Sequence, residues 1–198
     1  MVVPLLVLSG FLGCSAGDDG RASRQGQRIE SAKDLDPGAL PGTKARLMLR
    51  DIPIPVSLVR EQRGDRVELS LNNESGPIEI EVYRLTSAEF AFAGLRLGGT
   101  VSTGEFYVPP MPILKFPMTV GDTWSWTGRY VSGDVSHDGS AKVTTSGKGD
   151  SVQVKVDLEL KSGGPKAAMR SLIFWIAPGR GVFKREFGES GTRAPAGG

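Results

Sequence analysis

The sequence predicts an all-β domain built on one large curved antiparallel sheet, an open half-barrel or barrel-like, of about ten or eleven strands. Strict alternation, regularly spaced turn residues and the lack of any long helical pattern carry that prediction. In Ser151–Lys161, Val152, Val154, Val156, Leu158 and Leu160 alternate with Gln153, Lys155, Asp157, Glu159 and Lys161. Period-two alternation of this length belongs to a sheet with one wet face. With 27 Gly and 13 Pro in 198 residues, the composition favours many turns over long helices.

The same pattern recurs along the chain. Val67, Leu69 and Leu71 alternate with polar residues. Ile78, Ile80 and Val82 read as the apolar face of the next strand, with Glu79, Glu81 and Tyr83 opposite. Arg63-Gly64-Asp65, Asn72 to Gly76, and Gly147 to Asp150 supply hairpin turns between such runs. Further strands are predicted near Lys44–Arg50, Val56–Glu61, Glu89–Leu95, Gly104–Val108, Thr123–Val131, Gly139–Thr145, Met169–Ile176 and Gly181–Phe187. The Pro-rich run Val108 to Leu114 reads as a loop crossing a barrel end, or as an extended docking segment.

Four segments follow: 1–13, 14–43, 44–188 and 189–198. Met1 to Gly13 is apolar and uncharged, too short to span a bilayer and of the length of a signal-peptide core. From Ser15 to about Gly42 polar residues dominate without periodicity, which predicts a flexible tether after Cys14. The last segment reads as a disordered tail, leaving 44–188 as the single β domain.

The run Phe11-Leu12-Gly13-Cys14 resembles the lipobox of bacterial lipoproteins. That resemblance implies acylation of Cys14, cleavage after Gly13, and a membrane partner reached through the lipid. The alternative reading is a buried N-terminal strand with a core Cys. Ser15 follows the Cys, where Asp marks inner-membrane retention in well-studied enteric bacteria. The resemblance therefore implies an outer-membrane protein facing the periplasm. Two phrases extend it: Phe116-Pro117-Met118-Thr119-Val120-Gly121-Asp122-Thr123-Trp124-Ser125-Trp126, and Trp175 to Lys184 with its Ala177-Pro178-Gly179 turn. They resemble phrases of uncharacterised bacterial lipoproteins with a β-rich domain, a group similar in fold to envelope lipoproteins of the LolA and LolB type.

Catalytic chemistry finds no support. The only His, His137, sits between Ser136 and Asp138, and consecutive strand residues point apart, so no triad forms; the reading is a surface turn. One Cys and one His exclude the ordinary zinc sets. Glu79 and Glu81 lie roughly 7 Å apart on a face expected to be solvated, which does not make a hydrolase pair. Arg63-Gly64-Asp65 spells an adhesion tripeptide but reads as a turn. A net charge of +2 argues against nucleic acid. The expectation is a non-enzymatic protein without cofactor or metal. It binds a lipid, an apolar ligand or a protein partner, or else docks structurally onto an envelope assembly. Trp124, Trp126, Tyr130 and Trp175 are the candidate ligand-binding residues, with a plain aromatic core as the competing reading.

Overall fold

A computed structural model describes residues 24–35, 43–98, 104–161, 167–188 and 191–196. The segment 1–13, Cys14 and Ser15 lie outside them. The strands are β1 (Arg28–Ile29), β2 (Thr43–Leu49), β3 (Ile52–Arg63), β4 (Arg66–Asn73), β5 (Gly76–Leu85), β6 (Glu89–Leu97) and β7 (Gly104–Lys115). Then come β8 (Met118–Thr119), β9 (Thr123–Ser132), β10 (Val135–Lys148), β11 (Ser151–Lys161), β12 (Ala168–Ala177), β13 (Gly181–Glu186) and β14 (Thr192–Pro195).

Twelve of these form one closed antiparallel barrel in the order β10-β11-β12-β13-β14-β2-β3-β4-β5-β6-β7-β9, with β9 pairing back to β10. Closure gives every barrel strand two neighbours, so the sheet has no edge strand. The barrel is mostly an up-and-down meander, because each hairpin turn returns the chain beside the strand it has just left. The turns at Gly64-Asp65, Gly149-Asp150 and Pro178–Arg180 therefore share one end. Those at Arg50-Asp51, Glu74-Ser75 and Gly133-Asp134 share the other. Gly64 and Gly149 have φ of +64° and +56°, backbone values that favour glycine.

The predicted alternation of β11 holds: Val152, Val154, Val156, Leu158 and Leu160 are buried, facing β10 partners such as Val143 and Ala141. Their polar neighbours face outward. This is the reverse of a membrane-spanning barrel, where the apolar band faces lipid. The interior toward the Gly64 end is filled by apolar and aromatic side chains. Phe92 lies at the centre, its ring within 5.6 Å of those of Tyr83, Tyr107, Phe174 and Phe187.

Three sequence expectations are corrected. The tether contains an ordered stretch: β1 pairs with β8, a 3-10 turn covers Ala32–Asp34, and Ile29 and Leu35 are buried in the core. Asp34 caps this turn by accepting the backbone N–H of Ser31 and of Glu30. Gly147 gives this segment its seat. Its N–H donates to the Gln25 side chain, and a Cβ on it would collide with the backbone of Gln25. The segment plugs the Gly64 end of the barrel.

The tail contains β14, which pairs with both β13 and β2 and carries the fully buried Arg193. The Pro-rich run is neither loop nor docking segment but part of β7, paired with β6 through Met111 and Pro112. Prolines leave few N–H donors there, and the backbone pairing of β7 with β9 covers only Glu105 to Val108. Beyond it the indole N–H groups of Trp126 and Trp124 donate to the carbonyls of Pro109 (3.1 Å) and Pro112 (2.8 Å), tying the two strands together.

Candidate functional site

The largest correction concerns β5. Register pairs Leu71 with Glu79, Leu69 with Glu81 and Val67 with Tyr83, and residues paired across a ladder share a face. Because β4 turns its leucines inward, Glu79, Glu81 and Tyr83 also enter the lumen, where Glu81 is 0% exposed. On the outer face, Ile80 and Val82 pair with Arg96 and Glu68, whose salt bridge (2.7 Å) flanks them. Long amphipathic stems can shield apolar neighbours in this way.

Two buried cations meet the glutamates. Arg185 on β13 and Arg193 on β14 reach β5 across the lumen, over β2, β3 and β4. Glu81 Oε1 accepts from Arg185 Nε (2.7 Å) and Arg193 Nε (2.6 Å). Its Oε2 accepts from Arg193 Nη2 (2.9 Å) and the Tyr83 hydroxyl (2.6 Å). Arg185 also pairs with Glu79 and donates to the Gly191 carbonyl, and Arg193 donates to that of Val182. Burial, then the neighbouring Arg193, push the Arg185 guanidinium down. For Arg193 burial again acts downward and is the largest single cause, but Glu81 and Tyr83 together outweigh it, and the net direction is up. Burial and the Glu81 carboxylate hold the Tyr83 hydroxyl well above its ordinary value. This crossbar is structural chemistry: both oxygens of Glu81 are filled by donors and Glu79 is paired with Arg185, as buried charges require.

A second crossbar spans the opposite end, called the open end because none of the described residues plugs it. Arg170 on β12 shares the inward face of Leu172, Phe174 and Ile176. Its Nη1 crosses β11 and β10 to donate to Glu105 on β7 and to the Tyr130 hydroxyl on β9, each at 3.1 Å. The guanidinium also lies 4.8 Å over the Tyr130 ring. Gly139 and Gly128, paired on β10 and β9, give up side-chain volume here, and the Trp126 ring rests on the space they leave.

Glu79 and Glu105 both line a cavity of about 710 Å³ in this open end. Leu47, Leu49, Ile54, Ile78, Leu95 and Leu97 give it an apolar wall from β2, β3, β5 and β6. Of five exposed large apolar side chains among the described residues, four stand at this end: Ile52, Leu97, Val135 and Met169. They begin or end β3, β6, β10 and β12 and so surround the opening. The opposite end has a smaller apolar pocket, under Ala32 and Leu35 of the plug and lined by Tyr83, Leu85, Phe90 and Phe116.

The aromatic candidates divide. Trp126 (5% exposed) and Tyr130 (4%) are core residues of β9 in contact with the Tyr107 ring, and Trp124 packs partly buried on the same face. Trp175 is on the outward face of β12, under the Lys184 ammonium 4.1 Å from its ring centre. The four therefore form no single concave surface. Trp126→Ala is expected to cost about 3–5 kcal/mol, as large aromatic truncations in cores do, and also to orphan the Pro109 carbonyl. A denaturant melt showing less than 1 kcal/mol would mean the ring is not packed as described. His137 is not in a turn: it pairs with Tyr130 within β10 and is half-buried. Among the described residues no three His, Cys, Asp or Glu side chains group as metal ligands.

Fold and cavity together define a closed twelve-stranded antiparallel barrel with a plugged end, an open end and ion pairs across its lumen. Comparison with protein-family models, curated proteins and solved structures gives no match.

Proposed function

We propose that this chain is a lipid-anchored protein of the bacterial cell envelope that holds an apolar ligand in the open mouth of its barrel and performs no catalysis. The observation that carries the reading is the apolar wall of the 710 Å³ cavity, a volume within the range of small-molecule sites. Attachment rests on the sequence resemblance at Cys14, with the outer membrane as the destination. The likeness to LolA-type lipid handlers agrees with a cavity for an apolar guest. The exposed rim residues favour a second reading, an accessory protein docking on a larger assembly through that rim.

Two measurements test the proposal. Cells fed a labelled fatty acid should label the wild-type chain and not Cys14→Ala; label retained on the variant would refute acylation at Cys14. The full chain carrying Cys14→Ala, free of its own acyl groups, should take up oleyl alcohol, and Ile78→Glu should weaken that uptake about tenfold or more by placing a charge in the apolar wall. A flat titration of the unaltered mouth would leave the docking reading.

A further inference from the structure

We infer that the open mouth is built for an anionic amphiphile, with Arg170 as the residue that receives its head group. The inference rests on the mouth reading above and adds the chemistry of the guest. The cavity has unlike sides. Aliphatic residues of β2, β3, β5 and β6 form one, while Glu105 and Ser132 mark the other, where Arg170 and Tyr130 join Glu105. A guest with an acyl chain and a polar head matches both sides at once.

The charges then choose the sign of the head. Two carboxylates line the cavity, Glu79 and Glu105, and each is paired with an arginine beside it, Arg185 and Arg170. Within each pair the charges balance. Their remaining hydrogen-bonding capacity does not. Arg185 has no exposed surface, whereas the Arg170 side chain is 40% exposed. Arg170 donates from Nη1 to both Glu105 and Tyr130 and lies beside the Tyr107 hydroxyl, while Nε and Nη2 donate to none of the described residues. A guanidinium edge of that kind is a fork for a carboxylate or phosphate. The crossbar also fixes the fork: Glu105, the Tyr130 hydroxyl and the Tyr130 ring hold three sides of Arg170, so little side-chain freedom is lost when an anion arrives.

The experiment compares heads on one chain. Oleate, oleyl alcohol and oleoyl lysophosphatidate are titrated, each below its micelle concentration, into the full chain carrying Cys14→Ala. Oleate should bind at least about tenfold tighter than the alcohol, the scale of one charge-assisted bond. Arg170→Met should bring that ratio close to one, Arg170→Lys should restore part of it, and Glu105→Gln should raise it by releasing Nη1. Between the two anions, the tighter binder assigns a carboxylate or a phosphate head. A ratio near one in the unaltered mouth overturns the inference, as does a ratio that survives Arg170→Met. Should Arg170→Met fail to fold, the unaltered ratio and the Glu105→Gln increase still decide. Binding of none of the three would also overturn the mouth reading, whereas equal binding of acid and alcohol would leave it standing.

Discussion

Glu81→Ala should destabilise the protein by about 3–5 kcal/mol, the usual result of removing one partner from a buried ion pair. Glu81 receives two guanidinium groups and a phenol, and neither Arg185 nor Arg193 has any exposure through which water could replace it. Arg193 is hit hardest. Its Nη1 already lacks a partner, and without Glu81 the side chain keeps only the Val182 carbonyl and the adjacent Tyr83 hydroxyl among the described residues. Exchanging both groups for apolar ones should be milder than either single loss, because no uncompensated charge stays behind. Urea melts of Glu81→Leu, Arg193→Met and the double variant close the cycle. A double variant as unstable as the sum of the singles would show that the two side chains are not coupled.

Val156→Asp should be at least as severe, at about 4 kcal/mol or more, enough to unfold much of a domain whose total stability is on the order of 5–15 kcal/mol. Val156 is fully buried in β11, facing Val143 on one side and Leu172 on the other, with no polar group at hand for a carboxylate. The neighbouring Glu159→Ala, on the wet face, serves as the control and should stay within about 0.5 kcal/mol. Circular dichroism and a urea melt separate the two. A folded, soluble Val156→Asp protein would mean that the faces of β11 are reversed.

These two residues also mark what could and could not be read from the chain. Val156 belongs to a run in which period, turn and propensity agree, and such agreement makes strands legible. Glu81 belongs to a strand apolar on one parity and acidic on the other, and alternation alone sent the acids outward. What sends them inward is the register of the β4–β5 hairpin, shifted by an irregularity between Leu71 and Asn72, together with two arginines more than a hundred residues away. The closing strand was missed for the same reason: Thr192–Pro195 is short, and its one lumen residue is charged. The plug left a local trace, a Ser31-x-x-Asp34 cap between the isolated apolar residues Ile29 and Leu35, but polar composition outweighed it. The mouth was hidden more deeply. Its apolar wall is drawn from four strands, and only closure brings them opposite Arg170.

The position of β14 has a consequence for when the barrel can exist at all. This stave joins β2, the first strand of the barrel in sequence, to β13, and it delivers one of the two guanidinium groups that meet Glu81. A chain emerging from a ribosome or a translocation channel has two raw edges and a half-compensated acidic interior until residues 192–195 appear. Every residue from β2 through 195 must therefore be delivered before the barrel becomes favourable, and contacts of such long sequence separation form slowly. On the export route proposed above, this late-arriving keystone keeps the preceding strands threadable until residue 195 has passed.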